Sequence, residues 1–228
     1  LELYRASGAL DRVAPALAAA PDPLWSAAVD RVARLSPDDP VLRTVALVEV
    51  ALGGDGGGVD RTALAEGVAT WMRGLRFSNA DMDRTVGLLA GPGLPPEADA
   101  SDGDVRRWLA AVGPEQVADR VRLVEAAIES ASDRPGHDPA GDGPESAVRA
   151  RLDRARAEFA AGPPLTVGDL AIGGRDLIRL GLKPGPHFGE LLDRLLERVL
   201  EDPRLNTADA LVAEVERMVD PESTDAGP

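Results

Sequence analysis

The chain has 228 residues, room for one large or two small domains, and carries a formal net charge of −14. Its apolar content of 44% supports a core, but only 3% is aromatic, so Leu, Val and Ala must fill that core, which favours helices. The absence of cysteine excludes a disulfide framework, a thiolate metal site and a cysteine nucleophile, and fits a cytoplasmic protein. The acidic balance excludes a generally basic nucleic-acid binder, so any RNA contact must be a local patch.

Residues 1–4 and 10–17 predict two helical pieces separated by Gly8. Asp22-Pro23 predicts a helix over 23–35 with Leu24, Ala28, Val32 and Leu35 as its buried stripe. Asp39-Pro40 repeats the start signal for 40–52, which is apolar nearly all round and should be central. Gly53–Gly58 reads as a flexible loop. No strand precedes it and no Gly-Lys-Ser/Thr follows, so it does not match a nucleotide-binding phosphate loop. Asp60 caps a helix to Arg73 with Leu64, Val68, Trp71 and Met72 inward. Ser78 and Asp81 form a capping-box pattern that opens 79–90. Between these helices, Arg73 and Arg76 sit beside a helix N-terminus and are candidate RNA contacts; the alternative is plain solvated side chains around a buried Phe77. Residues 91–103 read as a surface loop, followed by helices 104–112 and 114–131. Trp108 and Leu109 belong to one core face, and Val117, Val121, Val124 and Ile128 to another. No segment alternates as a strand, no apolar run approaches the ~18–20 residues of a membrane span, and no signal peptide is visible. The predicted class is all-α.

Residues 132–144 (SDRPGHDPAGDGP) are the expected linker between a helical body domain, 1–131, and a smaller helical tail domain, 145–220. Residues 221–228 are expected to be disordered. In the tail, helix 145–160 leads across Gly162-Pro163-Pro164 to a capping-box pattern at Thr166 and Asp169. Gly173–Gly174 break the chain before a short helix, Arg175–Leu180, and Gly181 suits the left-handed position that ends it. Lys183-Pro184-Gly185-Pro186 predicts a tight turn. Phe188, Leu191, Leu192, Leu195, Leu196, Val199 and Leu200 then keep the spacing of one buried helical face until Asp202-Pro203 stops it. Asn206 is expected to cap the last helix, 207–219, whose inward residues are Leu211, Val212, Val215 and Met218.

This helix–hairpin–helix pattern has two readings. In one it packs a core, with Arg175 and Arg179 paired to Asp169, Asp176 or Glu190. In the other it clamps a nucleic-acid backbone. The N–H groups of the turn around Gly185 and of the next helix N-terminus would then face a phosphate, flanked by Arg175, Arg179 and Lys183, the chain's only lysine.

The string over residues 169–207 resembles the C-terminal tail of bacterial CCA-adding enzymes, the tRNA nucleotidyltransferases of the poly(A) polymerase-like class. The match is carried by Asp169, Leu170, Ile172, Gly174, Asp176, Leu177, Leu180, Gly181, Pro184, Gly185, Pro186, Gly189, Leu192, Leu195, Leu196, Val199, Leu200, Pro203, Asn206 and Thr207. Weaker echoes are residues 1–10 (LELYRASGAL), similar to the segment that opens the family's body, and Leu75-Arg76-Phe77-Ser78-Asn79. The resemblance implies a region that holds tRNA by its acceptor and T-arm side and positions it for the enzyme's own N-terminal catalytic head. It implies neither a DNA nor a membrane partner. The rival expectation is a non-catalytic helical protein-interaction module without RNA binding.

The family's catalytic text is not in this chain. There is no G-G-x-V-R-D element with a D-x-D, and no E-D-x-x-R stretch; in Glu201-Asp202-Pro203-Arg204 the arginine comes one place too early. Head and neck are therefore expected to lie outside it. Mg2+ with CTP and ATP is implied for the intact enzyme, and no catalytic residue, metal ligand or cofactor is assigned here. Where some relatives hold a His-Asp metal dyad in the body, the resembling place is Glu49-Val50. The only His-Asp dipeptide is His137-Asp138, in the expected linker, and the other histidine is His187.

Overall fold

A computed structural model describes residues 1–53, 59–132 and 143–219. Most of the expected linker, with His137-Asp138, lies outside the described residues, as do 54–58 of the glycine-rich loop and the C-terminal segment 221–228. Among the described residues there are thirteen α-helices and no strand, so the chain is all-α. They are α1 (Glu2–Ala6), α2 (Ala9–Val13), α3 (Pro15–Ala18), α4 (Asp22–Ala33), α5 (Pro40–Ala51), α6 (Arg61–Gly74), α7 (Asn79–Ala90), α8 (Asp102–Val112), α9 (Val117–Ser132), α10 (Pro144–Ala160), α11 (Gly174–Arg179), α12 (His187–Glu201) and α13 (Ala208–Val219). The chain divides into two compact units, one of residues 1–98 with 111–153, the other of residues 99–110 with 154–228.

In the first unit α5 is central. It packs on α4, α7 and α9, while α6 packs on α7. The cause is its sequence: Val41, Leu42, Val45, Ala46, Leu47, Val48 and Ala51 are all buried, and only the narrow side of Pro40, Arg43, Thr44 and Val50 stays partly open. Asp39 starts the helix by accepting the Leu42 N–H at 3.0 Å. The same carboxylate accepts from Arg84 at 2.7 and 3.1 Å, and Arg84 also reaches Asp119 at 2.6 Å. Burial pushes the Asp39 carboxyl up, but the Arg84 and Leu42 hydrogen bonds outweigh it and hold the group below its ordinary value.

Two expectations change, one in each unit. Leu24 is exposed and Trp25 takes the buried place instead. Both positions fit the helical spacing with Ala28 and Val32; the indole has more apolar surface to bury, and its Nε1 donates to Glu2 at 3.0 Å. Helix α8 starts at Asp102, inside the expected loop, because Ser101 accepts the Asp104 N–H at 3.1 Å while the Asp104 carboxylate accepts the Ser101 N–H at 3.0 Å.

The second unit has its own core of Leu170, Ile172, Leu177, Leu191, Leu195, Val199, Leu211 and Val215. Here α12 packs on α13 and on the 3-10 turns Val167–Asp169 and Pro203–Leu205. Leu195 is fully buried, whereas Leu196 packs at the rim of this core and is half-buried. Arg106 closes the C-terminal end of α12, donating to the Leu200 and Glu201 carbonyls at 2.6 and 2.9 Å and to Glu158 at 2.6 Å. The expected cap at Asn206 is displaced by one residue. Thr207 accepts the Ala210 N–H at 3.3 Å, and Asn206 instead accepts from the Ala171 N–H at 2.8 Å and donates to the Asp169 carbonyl at 2.9 Å. The amide accepts with its oxygen and donates with its nitrogen, a spacing that reaches the Ala171 N–H and the Asp169 carbonyl at once, so Asn206 serves as a clip between two segments.

Candidate nucleic-acid interface

The hairpin of the second unit begins at the turn Val167–Asp169. Asp169 accepts the N–H groups of Leu165 and Thr166 at 3.1 and 2.8 Å and the Thr166 hydroxyl at 2.8 Å. The Thr166 hydroxyl bond and these amides hold its carboxyl below the usual value. Asp176 does the same for α11, accepting the Gly173 N–H at 2.9 Å. The helix then ends at Gly181, whose φ of +87° is left-handed. The Leu182 N–H donates to the Leu177 carbonyl and the Gly181 N–H to the Ile178 carbonyl, at 3.2 and 2.9 Å. This paired closure needs a left-handed residue, and glycine takes that conformation without a Cβ penalty.

Leu182 turns back onto the core, and Lys183 and Pro184 are exposed. Pro186 stands in helical conformation immediately before α12. The Phe188 and Gly189 N–H groups donate to the Gly185 and Pro186 carbonyls at 3.0 and 3.1 Å. Those of Gly185 and His187 donate to no carbonyl among the described residues. The Phe188 ring packs 3.7 Å from where a Cβ on Gly174 would sit, so it ties the starts of α11 and α12 together. The hairpin is thus built from both sides, with donors left over at its tip.

The cations differ in freedom. Arg175 and Lys183 are exposed and have no ion-pair partner among the described residues. Arg179 pairs with Asp176 at 2.9 Å, which is the partner the core-packing reading expects. That arginine side chain is still 79% exposed. Exposed pairs at this spacing are worth about 0.3–0.5 kcal/mol, too little to hold the guanidinium from a phosphate.

Arg73 and Arg76 lie in the other unit, at the end of α6. Both are exposed and without a partner among the described residues, and Phe77 is half-buried rather than buried. Arg76 has a φ of +61°, the only non-glycine residue with a left-handed φ among the described residues. The Phe77 N–H reaches the Met72 carbonyl at 3.2 Å and the Arg76 N–H the Arg73 carbonyl at 3.1 Å. This is the closure made at Gly181, with arginine where glycine would be unstrained.

What sequence reading missed is the carboxylate of Glu49, fully buried in α5. It accepts from Arg31 at 3.1 Å, Arg61 at 3.0 Å and Arg120 at 2.8 Å. These arginines also bind the carbonyls of Leu123, Gly91 and Leu88. Burial pushes the Glu49 carboxyl up, but the charges of Arg120 and Arg31 and the hydrogen bonds of Arg120 and Arg61 hold it below its ordinary value. The available signal was a single acid on the apolar side of a helix whose other polar residues, Arg43 and Thr44, lie together near its start, since such a group needs partners. Surrounded by three cations, Glu49 does not suit a metal ion. Among the described residues no cluster of three or more His, Asp or Glu could hold one. Glu201 and Asp202 are engaged structurally, with Arg107 at 2.6 Å and with Arg204 at 2.9 and 3.0 Å.

A family model described as "tRNA nucleotidyltransferase domain 2 putative" matches residues 159–215. The C-terminal region is therefore tRNA nucleotidyltransferase-related. The match runs from the end of α10 into α13 and takes in Arg175, Arg179, Lys183 and Gly185, but not Arg73 or Arg76. No curated protein and no solved structure matches the chain. Among the described residues no helix is long and apolar enough to cross a membrane.

Proposed function

We propose that this chain is the RNA-holding C-terminal part of a CCA-adding tRNA nucleotidyltransferase, acting in the cytoplasm. Its hairpin grips the tRNA backbone on the acceptor and T-arm side and fixes the 3′ end at a catalytic head outside this chain. The divalent metal, CTP and ATP belong to that head. The observation that carries the reading is the tip of the hairpin within the matched region. Within that region Arg175 and Lys183 are exposed without an ion-pair partner among the described residues, and the N–H groups of Gly185 and His187, at the start of α12, donate to no carbonyl among them. A phosphate at the N-terminus of a helix gains about 0.3–1 kcal/mol from the dipole at an exposed site. Each further cation adds a modest attraction that salt screens.

Arg73 and Arg76 form a second, independent contact in this reading, a phosphate point on the first unit. Filter binding of residues 1–228 to a tRNA transcript at low and moderate salt tests the proposal. Binding that weakens steeply with salt supports it. Absence of binding even at low salt favours a helical module that meets proteins instead.

A further inference from the structure

We infer that His187 makes the grip of this hairpin on RNA pH-sensitive: its imidazole stands at the tip, and protonation adds a cation there that strengthens the hold on a phosphate. This rests on the RNA reading above and names the regulation of that site.

His187 is the first residue of α12, and it is exposed. Side chains on a helix lean toward its N-terminus, so this one leans back over the turn. The ring's Nδ1 and Cε1 lie 2.9 Å from where a Cβ on Gly185 would sit, so a larger residue there would push the imidazole away. The ring also meets Phe188 edge to face, with centroids 5.1 Å apart and planes at 89°, and Phe188 packs against the core of the unit. The imidazole is thereby held over the same turn whose Gly185 N–H donates to no carbonyl among the described residues. Among those residues neither ring nitrogen has a hydrogen-bond partner, and the ring makes no ion pair.

A histidine changes charge between about pH 5 and 8. The charged groups around this one are Lys183 in the same turn, Glu190 one turn further along α12, and Arg175 and Asp176 at the start of α11, which Phe188 ties to the tip. Asp176 is taken up by the Gly173 N–H and by Arg179, each at 2.9 Å. Glu190 is exposed and forms no pair with the ring. No carboxylate therefore occupies the imidazole, and a phosphate brought to the tip is the anion it would meet. A neutral imidazole offers that phosphate one N–H, whereas an imidazolium offers two and a full charge. Phosphate binding and protonation thus favour each other, and by reciprocity affinity rises as the pH falls.

The test uses the full chain and two variants, His187→Gln and His187→Lys, with a tRNA transcript as the probe. The readout is the ratio of affinities at about pH 5.5 and about pH 7.5 within each protein, at one salt concentration, so a general weakening cancels. The parent chain is expected to bind about two- to fivefold more tightly at the lower pH, with a steeper salt slope there. His187→Gln cannot take the proton and should bring the ratio close to one. His187→Lys carries the charge at both pH values, so its ratio should also be close to one, with the steeper salt slope kept at the higher pH. Both variants retain His137, the only other histidine, and the Leu1 amine. A ratio that survives in His187→Gln therefore places the response elsewhere and overturns the inference. A parent ratio of one with binding intact overturns the switch and leaves the RNA reading standing, whereas no binding at either pH overturns both.

Discussion

Arg76→Gly should make the protein more stable while removing a charge. At a φ of +61° the Arg76 Cβ crowds the following carbonyl, a cost of about 1–2 kcal/mol for a non-glycine residue. The closing bonds from Phe77 to Met72 and from Arg76 to Arg73 use backbone atoms only, so glycine keeps both. Glycine also frees the unfolded chain, which takes back about 0.5–1 kcal/mol. The difference is a gain of roughly 0.5–1 kcal/mol, or about 1–4 °C in the melting midpoint at this chain length. Arg76→Ala separates strain from charge, because alanine loses the guanidinium and keeps the Cβ; it should change stability by less than about 0.5 kcal/mol. Urea unfolding followed by tryptophan fluorescence, with Trp108→Phe as the common background, reads the right unit, since Trp25 and Trp71 lie in it and Trp108 lies in the other. A midpoint that falls with glycine, or rises equally with alanine and glycine, would refute the strain argument. If Arg76 touches RNA, both variants lose tRNA affinity alike although only one gains stability.

Glu49→Gln leaves three buried or half-buried guanidinium groups without their counter-charge and should cost about 3–5 kcal/mol in urea unfolding; a cost under about 1 kcal/mol would show that the cluster is not held by charge. Folding lowers the Glu49 pKa, so on acidification the unfolded state takes up the proton first. Its contribution is complete above the ordinary value of 4.5 and is lost as the pH falls through the folded value, and the acid unfolding transition of Glu49→Gln should be less steep than that of the parent chain. Leu195→Ala opens a hole in the centre of the second core and should cost about 2–5 kcal/mol, whereas Leu196→Ala at its rim should cost less; equal effects on the denaturation midpoint would contradict the assigned face.

Most of the fold was legible because helical spacing and start signals are local. The central place of α5 followed from its apolar circumference, and the caps at Asp39, Asp60 and Ser78 followed from residue type and position. Errors arose where two local solutions were equally good. Leu24 and Trp25 both fit the stripe, and Asn206 and Thr207 both make good caps; tertiary partners made the choice. The hairpin was readable down to the left-handed Gly181. The freedom of Arg175 against the pairing of Arg179 was not, since each has acids three or four residues away or nearer. The Glu49 cluster shows the limit most clearly. Its acid was visible as an anomaly, but Arg31, Arg61 and Arg120 lie on three other helices and nothing local distinguishes them from the remaining arginines.

The most direct test of the RNA reading is the slope of log affinity against log salt for tRNA. It is measured on residues 1–228 and on the variant with Arg175, Arg179 and Lys183 replaced by Ala. If these cations meet phosphates, the variant binds more weakly at low salt and its slope flattens by about one for each phosphate no longer neutralised, with its melting midpoint close to that of the parent. A variant that melts earlier but keeps both the affinity and the slope would mean that these residues only brace the hairpin, and the RNA contact would have to be abandoned.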